Sequence, residues 1–111
     1  MSELPMTVRA EGLPERVTIY EVGPRDGLQN EQALVPTGVK AEFVRRLLAA
    51  GLPVVEATSF VHPRWVPQLA DAAELMTGLA EDLGDRSREL PVLVPNERGL
   101  DRAVELGLRH V

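Results

Sequence analysis

Three apolar runs start at nearly equal intervals along the chain: VTIYEV from Val17 to Val22, PVVEATSF from Pro53 to Phe60, and LPVLVP from Leu90 to Pro95. The interval is roughly 35 residues, the length of one strand-and-helix unit. Each run is apolar on both faces, as strands of a parallel sheet covered by helices are. The segments between them carry helical patterns. Thr37 is placed to cap a first helix with Phe43, Val44, Leu47 and Leu48 on one face and Gly51 as its stop. A second helix is predicted from about Val66, with Leu69, Ala72, Ala73, Met76 and Leu79 as its apolar set. The polar stretch EDLGDRSRE reads as a surface loop. A third helix is predicted from about Arg98, with Leu100, Ala103, Val104 and Leu106 inward and Gly107 as its stop. The final RHV falls where a fourth strand begins.

An open doubly wound sheet and a (β/α)8 barrel both produce this pattern. No GxGxxG follows the first strand, which counts against a dinucleotide-binding sheet. A barrel needs eight such units and about 250 residues. The α/β reading adopted is therefore the amino-terminal part of a larger (β/α)8 TIM barrel: the first three βα units and the start of the fourth strand, over residues 17–111, after a loosely ordered lead-in at 1–16. The lead-in, MSELPMTVRAEGLPE and one further residue, has no apolar core of the kind a secretory signal needs.

The first strand runs straight into EVGPRDGLQNE, from Glu21 to Glu31. Gly23-Pro24 ends the strand, and Arg25, Asp26, Gly27 and Gln29 crowd just past its carboxyl end, where α/β proteins bind ligands. An aspartate there can give a hard divalent cation a carboxylate oxygen. An arginine beside it can neutralise an oxyanion or enolate with its planar donors. A plain surface Arg-Asp pair in a turn fits position alone equally well. Gly27 permits a tight turn or a close ligand approach, and Gln29 and Asn30 are either binding or loop residues. Glu56 is the second signal, because a carboxylate inside an apolar strand is costly unless it is paired or near a metal. Thr58 and Ser59 bring hydroxyls to that strand's carboxyl end. Glu21 is equally out of place among apolar neighbours and is positioned either to support Arg25 or to serve a structural role. His62 has no partner at ligand spacing, so a loop histidine is the better reading than a metal ligand. Trp65 is expected to pack against the second helix.

Composition closes off several classes. Hydrophobic residues make up 44% of the chain, enough for a core, but the formal net charge of −5 argues against nucleic acid as a partner. A local basic site for an anionic small molecule stays open. There is no cysteine, which removes disulfides, thiolate metal sites and a cysteine nucleophile from this stretch and fits a reducing compartment; the expected location is cytoplasmic. No apolar run approaches the roughly 20 residues needed to span a bilayer, so no membrane partner is expected.

EVGPRDGLQNE, EATSFVHPRWVPQLAD and PVLVPN, at these spacings, closely resemble the 3-hydroxy-3-methylglutaryl-CoA lyases, from Val17 to the last residue. These are metal-dependent enzymes of a TIM-barrel superfamily of lyases and condensing enzymes with an Asp-Arg-Glu core. The RDG element alone is shared with isopropylmalate and homocitrate synthases and with pyruvate carboxyltransferase domains. GLQNE together with TSFVxPxWVPQ is more specific to the lyases. The resemblance implies that Asp26 is a ligand of a divalent cation, Mg²⁺ or Mn²⁺. It implies that Arg25 contacts substrate and stabilises the enolate, and that Glu56 is the core acid that helps order the metal site. Gln29 and Ser59 match positions near the substrate. The implied substrate is an acyl-CoA, the implied reaction its cleavage to acetyl-CoA and acetoacetate in leucine breakdown and ketone-body formation, and the implied assembly a homodimer. Two positions depart from the pattern: His62 stands where a serine is common, and Gln32 where a lysine is common. The family completes its site with a His-x-His pair, an Asn and a mobile Cys from later in the barrel. Without them the residues present make half a site, and the chain alone is expected to be an inactive fragment. Two other readings stand beside this one, a related condensing enzyme and a non-catalytic truncated product.

Overall fold

The computed structural model describes residues 5–111. Four short strands and three helices alternate as β1 (Tyr20–Glu21), α1 (Thr37–Ala49), β2 (Val54–Val55), β3 (Thr58–Ser59), α2 (Ala72–Leu83), β4 (Val92–Leu93) and α3 (Glu97–Glu105). Every pairing is parallel. Tyr20 lies opposite Val54 and Glu21 opposite Val55, while Thr58 lies opposite Val92 and Ser59 opposite Leu93.

The predicted second strand is thus one extended segment with two partners in succession. Its first half pairs with β1 and its second half with β4. Two further bonds carry the ladders across the break, Glu56 N–H to the Glu21 carbonyl (2.8 Å) and Ala57 N–H to the Pro91 carbonyl (3.0 Å). Such a stagger between neighbours is what a tilted, curving parallel sheet requires. It is also why the ladders are much shorter than the apolar runs that predict them. The first run is a correction in this respect: only Tyr20–Glu21 pair, and Val17 and Ile19 are exposed. Beyond β4, the Val92 N–H donates to the His110 carbonyl at 3.1 Å, so RHV begins to add to the same layer.

The core lies between this layer and α1 and α2. Val44, Val55, Ala57, Phe60, Ala72, Leu75, Met76, Leu79, Val92 and Ala103 form one buried cluster. Val55 and Ala57 face it together, as alternation demands, which turns Glu56 to the opposite face of the strand. Leu75 belongs to this cluster although the apolar set read for the second helix omits it.

Helix boundaries depart from expectation in three places, and the buried face of one helix in a fourth. Thr37 is the first residue of α1 rather than its cap, and its hydroxyl donates instead to Asp71 Oδ2 at 2.6 Å. Residues Pro67–Leu69 form a tight 3₁₀ turn, so α2 proper begins at Ala72. α2 then continues through Leu83, and Gly84–Glu89 forms a second 3₁₀ turn with Ser87 buried, where a polar loop was expected. On α3, Ala103 is buried but Leu100 and Val104 are exposed. Asn96 caps this helix by accepting from the Gly99 N–H at 2.8 Å. The stops are as read: Gly51 and Gly107 both adopt positive φ (95° and 74°), which glycine reaches without strain.

Candidate active site

The strand-to-helix turn after β1 holds the first motif. Gly23–Gly27 make one wide turn in which the Val22 carbonyl accepts from the N–H groups of Arg25 (3.1 Å), Asp26 (2.7 Å) and Gly27 (3.3 Å). Pro24 is buried beneath it. Glu21 secures its start by accepting from the Gly23 N–H at 3.1 Å. A Cβ on residue 23 would stand 2.6 Å from that carboxylate oxygen, so the contact needs a glycine. Glu21 therefore supports the backbone of the turn and not the Arg25 side chain. At Gly27 a Cβ would meet nothing within 4 Å, and that flank of the turn is open.

The turn lies against β3, and Arg25 reaches from it to the neighbouring strand. Its Nε donates to Glu56 Oε1 at 2.5 Å, and its Nη1 to Asp26 Oδ1 at 3.2 Å. Glu56 is 7% exposed, and its second oxygen accepts from the Tyr20 hydroxyl at 2.9 Å. A carboxylate turned away from the apolar core is thus paired on both oxygens, which offsets the cost of burying it. Partial burial and then the Glu56 carboxylate push the Tyr20 phenol up to about 12. Arg25 Nη2 makes no hydrogen bond among the described residues.

Three of the residues singled out in the sequence, Arg25, Asp26 and Glu56, form this one linked group. Ser59 lies on β3 beside the turn, nearly fully buried, and among the described residues its hydroxyl has no hydrogen-bond partner, nor has that of Thr58. An unpaired buried hydroxyl costs about 1–3 kcal/mol, so a bound polar group would find a partner there. Gln29 is exposed and lines a separate hollow of about 350 Å³ between its own loop and residues Trp65–Gln68. Among the described residues no hydrogen bond joins it to the Arg25–Glu56 pair, and neither of those residues lines that hollow.

For a divalent cation the donors are chemically apt but few. Asp26 has an exposed carboxylate with one oxygen uncommitted, which suits a hard cation. Both Glu56 oxygens are engaged, so Glu56 fits the role of an anchor. Among the described residues no three His, Cys, Asp or Glu side chains come together to hold a metal. His62 accepts from the Arg64 N–H and stacks at a tilt with Trp65, ring centroids 5.6 Å apart. Trp65 is 74% exposed, so it does not pack on the second helix as expected.

Tyr20, Lys40, Gln68 and Asp71 belong to the site or its frame and were not singled out from the sequence. Lys40 had a visible signal: it sits beside Ala41 and one turn before Val44, on the apolar stripe of α1. Tyr20 and Gln68 had none, since their partners depend on strand register and loop path.

Among the described residues no helix is long and apolar enough to cross a membrane. A family profile described as HMGL-like matches residues 16–111. A mitochondrial hydroxymethylglutaryl-CoA lyase of Arabidopsis thaliana is 56% identical over 102 residues, covering 92% of this chain and 21% of its own length. A cytoplasmic 3-hydroxy-3-methylglutaryl-CoA lyase of Homo sapiens is 52% identical over 105 residues, covering 95% of this chain and 28% of its own. Among solved structures, a hydroxymethylglutaryl-CoA lyase from Pseudomonas aeruginosa superposes with a TM-score of 0.75 at 44% identity, over 86% of this chain and 31% of that one. An HMG-CoA lyase from Acinetobacter baumannii, in complex with coenzyme A and 3-methylmalate, gives 0.73 at 38% identity, over 82% and 29%. The chain spans less than a third of the length of each of these relatives. The match over nearly all of its own length, on the fold and motifs described above, shows that this chain belongs to the HMGL-like family.

Proposed function

We propose that the full-length protein carrying this segment is a hydroxymethylglutaryl-CoA lyase, and that residues 17–111 are the first three βα units of its (β/α)8 barrel. The observation that carries the reading is identity above 50% to lyases of that name across some nine-tenths of this chain. The intact Arg25–Glu56–Asp26 group supports it. The substrate would be (S)-3-hydroxy-3-methylglutaryl-CoA. Its tertiary hydroxyl loses a proton, the bond between that carbon and the thioester α-carbon breaks, and the electron pair passes to the thioester as the enolate of acetyl-CoA. Acetoacetate is the other product, and protonation of the enolate completes the balance.

Arg25 is the residue proposed to meet the developing enolate. Glu56 and Asp26 fix two of its donors and leave Nη2 for the substrate oxygen, so the charge-stabilising group is in place before reaction. Glu56 acts through Arg25 and is itself held by Tyr20. Ser59, with its unpartnered hydroxyl, is proposed to bind a substrate oxygen, and Gln29 to contact substrate from the loop. Asp26 would be one ligand of a divalent cation, Mg²⁺ or Mn²⁺, which when bound supplies Lewis acidity toward the substrate hydroxyl and carbonyl oxygens. The other ligands would come from later strands. A homodimer follows from the same reading. Relatives named both mitochondrial and cytoplasmic exist, so the cytoplasmic location is proposed on the cysteine-free sequence alone.

The test is an assay of the full-length protein with Mg²⁺ or Mn²⁺, following acetyl-CoA release from hydroxymethylglutaryl-CoA beside condensation of acetyl-CoA with 2-oxo acids. Release without condensation is expected. Condensation alone would make the protein a synthase, and neither activity would leave the lyase reading without support.

A further inference from the structure

The loop from Glu31 to Val35, which leads from the candidate site into α1, is held by one side chain. Gln68 is 5% exposed and lies on the next strand-to-helix connection. Its Nε2 donates to the carbonyls of Glu31 (3.1 Å) and Ala33 (2.7 Å), and its Oε1 accepts from the Val35 N–H (2.9 Å). Among the described residues, 32–35 make no other hydrogen bond. The side chains of Glu31 to Leu34 are exposed, so packing does not hold the loop either. Backbone groups in a loop must find partners, and here one amide supplies three of them.

The loop and Gln68 together line the hollow that also contains Gln29, Asn30 and Trp65. The Arg25 turn, by contrast, is secured independently, by the Val22 carbonyl and by Glu56. We infer that Gln68 is a positioning residue: it fixes the wall of the hollow in which Gln29 is proposed to contact substrate, and makes no hydrogen bond to the Arg25–Glu56–Asp26 group. The inference rests on the lyase reading for its kinetic consequence and on the hydrogen bonds alone for its structural one. Loss of the clamp should therefore weaken binding of the acyl-CoA while leaving the chemical step in place.

The test uses the full-length protein with Gln68→Ala and Gln68→Glu. The glutamate keeps the shape and the acceptor for Val35 but lacks both donors, so it isolates the contribution of the amide group. Both variants are expected to raise KM for hydroxymethylglutaryl-CoA on the order of tenfold, with kcat within about twofold of the parent. Hydrogen exchange should show the Val35 amide losing protection in Gln68→Ala, with the amides of α1 and α2 unchanged. A merely structural Gln68 would lower stability and the active fraction, so kcat would fall at constant KM; that result, or an unchanged KM, overturns the proposal. If Gln68→Glu behaves as the parent, the amide donors do not position the loop and the inference is wrong. If the parent itself has no lyase activity, the functional reading fails, and the exchange experiment alone then decides the clamp: a Val35 amide equally protected in Gln68→Ala refutes it.

Discussion

Arg25 commits Nε to Glu56 and Nη1 to Asp26, and both bonds lie inside the chain. A guanidinium with two of its donors held this way would, in the role proposed for it, meet an oxyanion with little reorganisation. In the full-length protein Arg25→Gln is expected to lower kcat on the order of 10²–10³-fold with a much smaller change in KM, because the interaction strengthens only as charge develops. Arg25→Lys should be only partly tolerated, since a point charge cannot hold Glu56 and Asp26 at once. Steady-state kinetics checks both; a near-normal kcat with raised KM would make Arg25 a binding residue. Tyr20 offers a reading of the same group from its other end. Its phenol is pushed up to about 12 by partial burial and the Glu56 carboxylate. The folded protein therefore holds this proton more tightly than the unfolded chain, and any stability it contributes falls as pH rises from about 10 towards 12. The difference in phenolate absorbance between the parent and Tyr20→Phe should show a midpoint well above 10; a midpoint at the ordinary tyrosine value would mean that the Tyr20–Glu56 bond is not formed. At this scale the sequence was informative where a residue clashed with its surroundings. Glu56 in an apolar strand and Arg25-Asp26 at a strand end were visible for that reason. Tyr20 clashed with nothing, and only register brings it to Glu56.

Between elements, the notable join is polar. Lys40 on α1 is nearly fully buried, and its ammonium donates to Asp71 Oδ1 at 2.7 Å and to the Gln68 carbonyl. Thr37 donates to the second oxygen of Asp71. Asp71 occupies the cap position of α2 yet makes no cap bond there, because its carboxylate is used to fasten the first turn of α1. Breaking such a pair from one side leaves an uncompensated buried charge. Asp71→Ala is expected to destabilise the full-length protein by about 3–5 kcal/mol, and Lys40→Met with Asp71→Ala together by clearly less. Chemical denaturation of the single and double variants measures this; additive losses would mean that the pair is not coupled. The same join explains what was misread. Thr37 has the chemistry of a cap, and nothing local reveals that its hydroxyl is drawn to a residue 34 positions away. The α2 extension through Leu83 is hidden in the sequence because Glu81 and Asp82 read as loop composition, and the acceptance by Asp82 from Arg45 on α1 joins residues 37 positions apart.

Over the whole molecule the apolar surface is unevenly distributed. Val17, Ile19 and Leu93 are exposed along the strand layer, and Leu100 and Val104 along α3. Among the described residues β1 pairs on one side only, which leaves its other edge without a strand partner. These features fit the proposed barrel, in which further strands and helices would cover the layer, and on that proposal helical periodicity marks Leu100 and Val104 as inward although they are exposed among the described residues. Periodicity reports that a face is to be covered, without saying by what. A polypeptide of only these residues is therefore expected to aggregate, to unfold without a cooperative transition, and to show no lyase activity, whereas the full-length protein should do the opposite on all three counts. Size-exclusion chromatography, thermal unfolding and the acetyl-CoA release assay check this directly. A soluble monomer with a sharp transition would mean that the exposed faces are tolerated in water and that the described residues form a self-sufficient domain. Turnover from it would mean that Arg25, Asp26 and Glu56 need no ligands from beyond Val111, and the half-site proposed here would have to be redrawn as a whole one.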